Sequence, residues 1–91
     1  MLGDLVISKA GHDKDARYII IEETGDFVYL ADGRLRGVGH PKKKRKKHIQ
    51  PIYKYDTTAV REKLMNKQQV TDEEIKRIIK ISRQSKMSEE E

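Results

Sequence analysis

Residues 4–31, DLVISKAGHDKDARYIIIEETGDFVYLA, hold three short apolar runs separated by two turns. The first run, Leu5-Val6-Ile7 with its flanks Asp4 and Ser8, is rich in β-formers. It stops at residues 9–15, where Gly11, Asp13 and Asp15 mark a turn. The second run covers residues 17–23. Its three consecutive isoleucines, Ile19, Ile20 and Ile21, favour strand over helix, because β-branched side chains lose rotamer freedom in a helix. Period-two alternation puts Ile19 and Ile21 on one face and Tyr18 and Ile20 on the other. Thr24-Gly25-Asp26 then turns the chain into residues 27–31, with Val28 and Leu30 on one face and Phe27 and Tyr29 opposite.

Working outward, Asp32-Gly33 suits a two-residue type I′ turn. It predicts a fourth strand, Arg34-Leu35-Arg36, with Leu35 pointing inward and the two arginines outward. Residues 49–52 suit a short fifth strand, which Pro51 either confines to an edge or ends. Strands this short and this closely joined cannot form two sheets, so the expectation is one small, strongly bent barrel over residues 1–55.

Beyond residue 55 the apolar period lengthens, which predicts a two-helix segment over 56–84. Asp56-Thr57-Thr58 can cap a short helix with Val60 and Leu64 one turn apart and Met65 joining them. Thr71-Asp72-Glu73-Glu74 reads as a capping box, with Val70 and Ile75 as its hydrophobic staple. Ile75, Ile78, Ile79 and Ser82 form one stripe, broadened by Ile81, and read as a docking face that packs on the barrel or on the first helix. Lys80, Arg83 and Lys86 lie toward the helix end, as the helix dipole prefers. Residues 85–91 read as an acidic, disordered tail.

Between sheet and helices stands HPKKKRKKHIQ, residues 40–50. Its six consecutive cations are Lys42, Lys43, Lys44, Arg45, Lys46 and Lys47. The chain has 20 basic and 15 acidic residues; without these six, 14 basic residues face 15 acidic ones. The basicity therefore belongs to one segment. Like charges in a row repel, and a polyanionic partner, RNA or DNA first, is the natural explanation. A solvated charge run and a nuclear-import signal of the Pro-then-Lys/Arg kind are the competing readings. The segment is expected to be mobile when free, because its charges repel and nothing apolar anchors it.

Composition narrows the classes. There are no cysteines, which removes disulfides and thiolate metal sites. No apolar run approaches the length of a membrane span, and the start, MLGDLVISKAGHDKD, lacks the pattern of a secretory signal. His12, His40 and His48 have no ligand spacing, so no metal is expected. No nucleophile, phosphate-cradling loop or paired acid and base suggests an enzyme, and no cofactor is implied.

Gly11, His12, Asp13 and Lys14 between two β-runs resemble the KOW motif, a β-loop-β unit of ribosomal proteins and transcription elongation factors. Asp15 stands where the motif usually has glycine; if that backbone position needs positive φ, Asp15 must supply it. Residues 28–36, followed by the Pro-Lys-Lys run and His48-Ile49-Gln50, strengthen the similarity to the bacterial KOW-domain group. That group is related to certain archaeal and eukaryotic large-subunit ribosomal proteins.

The resemblance covers residues 2–52. It implies a mainly β fold, a small SH3-like (KOW) barrel followed by a helical appendage, binding structured RNA. The RNA it implies is large-subunit ribosomal RNA, and the location cytoplasmic. The alternative is an SH3-like protein-interaction adaptor, with transcription elongation as one version. Expected RNA-binding residues are Lys9, His12 and Lys14 in the first loop, Arg34 and Arg36, and His40, Lys42, Lys43, Lys44, Arg45, Lys46, Lys47 and His48 in the run. Phe27 and Tyr29 read as core or helix-docking residues rather than base-stacking ones. Ile75, Ile78 and Ile79 are the expected contact for a neighbouring ribosomal protein.

Overall fold

The structure, a computed structural model, describes residues 1–89, and side chains of residues 1–84. Five strands precede two helices: β1 Leu5–Ser8, β2 Arg17–Thr24, β3 Phe27–Ala31, β4 Lys42–Arg45, β5 Ile49–Ile52, α1 Thr58–Met65 and α2 Asp72–Glu89. All strands belong to one antiparallel sheet of order β4-β3-β2-β1-β5. β5 is an edge, as Pro51 requires, and Pro51 sits opposite Val6.

The sheet must curl. Laid flat, its edge strands would stand roughly 19 Å apart at about 4.8 Å per strand. Yet β4 and β5 are joined by only a single 3-10 turn, Lys46–His48. That connection reaches at most about 14 Å even if fully extended. Two backbone bonds seat the turn between the edges: Lys46 N–H donates to Asp26 O (2.8 Å), and Lys9 N–H to His48 O (2.8 Å). No ladder joins β4 to β5, so the sheet is curled without being closed.

Curling gives the sheet two buried sides. Val6, Tyr18, Ile20, Val28, Leu30 and Ile49 fill the concave side. Leu5, Ile19 and Ala31 on the convex side pack with Val60, Val70, Ile75 and Ile79. Fully burying one such aliphatic side chain contributes on the order of 1.5–3 kcal/mol. Central strand β2 serves both sides, which is why it carries three isoleucines in succession. A bulge between Ile20 and Glu22 shifts its register against β3.

The helices are part of this core rather than an appendage. At α2 the capping box forms, Glu74 N–H donating to Thr71 Oγ1 at 3.3 Å, with Val70 and Ile75 both buried beside it. Arg61 of α1 reaches back to the Asp4 carboxylate and the Leu2 carbonyl. Buried Arg17 of β2 donates to Ser82 Oγ (2.8 Å), which in turn donates to the Ile79 carbonyl (2.7 Å). Ser82→Ala would leave the guanidinium short of an acceptor. It is expected to cost about 1–2 kcal/mol and lower the melting temperature by roughly 5–10 °C, measurable by thermal denaturation.

Several expectations are corrected. Ile75 and Ile79 are buried and Ile78 packs against them: the stripe docks on the sheet as its spacing predicts, and it is the sheet, rather than the expected neighbouring protein, that these three side chains meet. Met65 is 64 % exposed instead of joining Val60. α2 continues through residues 85–89, the start of the stretch read as a tail; residues 90–91 lie outside the described residues.

The fourth strand expected at 34–36 does not form, and Leu35 is 92 % exposed. The Asp32 carboxylate instead accepts the backbone N–H groups of Arg34 (2.8 Å) and Arg36 (2.9 Å), curling the segment into a tight loop. The loop rests on the start of α2. Gly33 has φ +79°, and a Cβ there would lie 2.5 Å from the Asp72 carbonyl oxygen, so only glycine fits. Val38 N–H donates to the Asp72 carboxylate (2.8 Å), fixing the loop's far end.

Candidate nucleic-acid interface

The basic segment is not a mobile arm. Residues 42–45 form edge strand β4, pairing Leu30 with Lys42, Tyr29 with Lys43, Val28 with Lys44 and Phe27 with Arg45. Strand geometry removes the repulsion argument, because successive side chains leave opposite faces. Lys42 and Lys44 share the concave face with Leu30 and Val28. Lys43 and Arg45 share the convex face with Tyr29 and Phe27. The run is therefore two sets of cations with different surroundings.

The inward set is neutralised. Asp13, at the tip of the first loop, accepts from Lys42 Nζ and Lys44 Nζ, each at 2.7 Å. It also accepts from Ser8 Oγ (2.9 Å) and Tyr18 O–H (3.1 Å). Lys44 Nζ reaches the Ala10 carbonyl as well (2.8 Å). Desolvation alone would raise the Asp13 pKa; the hydrogen bonds from Lys42, Lys44, Ser8 and Tyr18 outweigh it and hold the carboxyl well below the usual range. Burial, then the Asp13 charge, pushes the Tyr18 hydroxyl up to about 12. The lysine stems cover the mouth of the concave core while their ammonium groups meet the carboxylate at its rim.

The first loop owes its shape to its sequence. Asp15 has φ 73°, so it takes a left-handed conformation that few residues other than glycine, asparagine and aspartate adopt. Its N–H donates to the Ser8 carbonyl (2.8 Å), closing the loop on β1.

The outward set is differently placed. Lys43 Nζ lies 4.3 Å and Arg45 Cζ 5.3 Å from the centre of the Phe27 ring. Phe27 and Tyr29 are half-buried and belong to neither core cluster. The helices cover the Ala31 end of the convex face and leave the Phe27 end open. Glu22 stands opposite Tyr29 on the same face and sets its acidic border. Beyond β4 the alternation continues: Lys46 pairs with Glu23 at 2.7 Å and holds that carboxyl below its ordinary pKa, while Lys47 is exposed.

The remaining expected residues fall in three places. Lys9, His12 and Lys14 are exposed on the first loop, and the Lys9–His48 backbone bond brings that loop against the end of the basic segment. His40 is exposed in the turn leading to β4. Arg34 and Arg36 are exposed on the loop after β3, next to α2. Phe27 and Tyr29, expected in the core or under the helices, lie instead beside Lys43 and Arg45 and in neither core cluster. The available signal was that a strand at 42–45 would split its cations into two alternating sets; which set meets Phe27 and Tyr29 is fixed only by the register.

Among the described residues no helix is long and apolar enough to cross a membrane. No protein-family model and no curated protein sequence matches the chain.

Proposed function

We propose that this chain is an RNA-binding module, a KOW-type, SH3-like barrel whose contact surface is the convex face of β3 and β4. The observation that carries this reading is the open patch where Phe27 and Tyr29 lie among Lys43 and Arg45. Cations interleaved with aromatic faces suit a nucleic acid: the cations take phosphates and the rings take unstacked bases. Arg45 can bind a phosphate bidentately, while Lys43 and Lys47 act as point charges. Each base stacked on an aromatic ring contributes about 1–3 kcal/mol.

Three further features support the barrel part of the reading. The strand order is that of a meander whose last strand returns beside β1, a 3-10 turn joins the two edges, and Asp15 takes positive φ where the motif usually has glycine. The resemblance of residues 2–52 makes large-subunit ribosomal RNA the proposed target and the cytoplasm the proposed location. The adaptor alternative relied on Ile75, Ile78 and Ile79, which are occupied by the sheet.

Pairing inside the domain sets the expected salt dependence. With Lys42 and Lys44 held by Asp13 and Lys46 by Glu23, three cations of the basic run remain for the phosphates of a hairpin: Lys43, Arg45 and Lys47. Fluorescence anisotropy with a labelled hairpin of large-subunit ribosomal RNA is expected to give a log–log salt slope of about −2 to −3. A slope of about −4 to −5 that falls back to about −2 to −3 in Lys42→Ala/Lys44→Ala would mean that the inward lysines leave their carboxylates for RNA. No salt-sensitive binding would overturn the reading. Co-sedimentation with large ribosomal subunits then separates ribosomal RNA from other RNA.

A further inference from the structure

A second surface forms where loops of the part that carries the resemblance meet helix α2, which lies outside it. A groove of about 1020 Å³ runs between the first loop, the loop after β3 and helix α2. Its apolar part is made by Ala16, Ile79 and the exposed Leu35. Arg34 on one wall and Lys80 and Arg83 on the other supply positive charge. Ile79, Lys80 and Arg83 recur at helical spacing with Lys76, so one stripe of α2 presents both kinds of group.

The charge balance of the groove is one-sided. Its two carboxylates are already engaged: Asp13 by Lys42 and Lys44, and Asp32 by the backbone of Arg34 and Arg36. Lys76 is paired with Glu73. Among the described residues Arg34, Lys80 and Arg83 enter no ion pair. Nor does the helix dipole account for the α2 cations. Its effect is confined to the last turn, and α2 runs on to Glu89, so Lys80 and Arg83 lie more than a turn before its end.

An occupant must match an apolar strip flanked by spaced cations. A single-stranded nucleotide segment does so, setting a base against the exposed Leu35 at the mouth of the groove with its phosphates toward Arg34, Lys80 and Arg83. Asp13 lines this groove and also holds the inward lysines of β4, so the groove begins where the basic strand ends. We infer that the groove binds an unpaired stretch of the same RNA that the β3–β4 face contacts, an inference that rests on the RNA-binding reading above.

The test is a titration of the full chain, carrying methyl and aromatic isotope labels, with a single-stranded oligouridylate. Shifts of the Leu35, Ile79 and Ala16 methyl signals are expected. The variant Arg34→Ala/Lys80→Ala/Arg83→Ala changes only exposed side chains and should keep its fold. It is expected to lose those shifts and bind the oligouridylate roughly 10- to 100-fold more weakly. Shifts confined to the Phe27 and Tyr29 rings would overturn the groove and leave the β3–β4 reading standing. No shift anywhere, with oligouridylate or with an RNA hairpin, would overturn both. Equal groove shifts with an oligoglutamate of matched charge would mark a general anion groove and overturn the nucleotide assignment.

Discussion

Asp13→Ala is expected to destabilise the domain by about 2–3 kcal/mol and to lower its melting temperature by roughly 10–20 °C. One carboxylate accepts from Lys42, Lys44, Ser8 and Tyr18 at the mouth of the concave core. Without it, two ammonium groups face each other there with no counter-charge. The Lys44 side chain is only 10 % exposed and bears most of that cost; Lys42, at 29 %, can turn toward water, which limits the total. The triple variant Asp13→Ala/Lys42→Ala/Lys44→Ala is expected to recover part of the loss, because it removes the stranded charges as well. A melting temperature unchanged in Asp13→Ala would mean that the first loop is not held by β4.

The same carboxyl predicts how stability responds to acid. Its folded pKa lies below the unfolded value of about 3.9. The stabilisation is therefore fully present above about pH 4 and is lost as pH falls through the depressed folded pKa. Urea unfolding at a series of acidic pH values is expected to show a steeper decline for the natural chain than for Asp13→Ala. Equal acid limbs would contradict the assignment.

The second large effect is on binding. Lys43→Glu/Arg45→Glu is expected to weaken RNA binding about 100-fold near physiological salt while changing stability by only about 1 kcal/mol, the worth of the exposed contacts with Phe27. Two phosphate partners are lost, and two carboxylates join Glu22 on the same face. Lys42→Ala/Lys44→Ala is expected to do the reverse, lowering stability and leaving the salt slope near that of the natural chain. Anisotropy titrations paired with thermal denaturation would distinguish them. Equal losses of affinity in the two variants would show that the cations act as one undivided run.

Much of this fold was legible from local pattern. Strands β1, β2, β3 and β5 follow the apolar runs and their glycine and aspartate breaks, and the capping box at Thr71 marks the start of α2. These signals sit within a few residues of one another, so no knowledge of the rest of the chain is needed. The failures are of another kind. Asp32-Gly33 suits a hairpin, but the Asp32 carboxylate finds two nearer donors and Gly33 is pressed against α2, so the chain loops away instead of pairing. Four cations in a row look incompatible with a packed strand until alternate ones meet Asp13, which lies some thirty positions earlier.

The sequence by itself determined strands β1, β2 and β3, the two helices, the cap of α2 and the location of the positive charge, and limited the run through Pro51 to an edge or an early stop. Each rests on propensity, period or a covalent constraint such as the missing N–H of Pro51. Only the tertiary structure decided which cations face outward, which aromatic rings stand beside them, and which side of the curled sheet the isoleucine stripe of α2 covers. Those outcomes depend on the curl of the sheet, which brings Asp13 to Lys42 and Lys44 and leaves Phe27 beyond the reach of the helices. A long-range register of that kind is chosen by the packing of the whole domain, and no short stretch of residues encodes it.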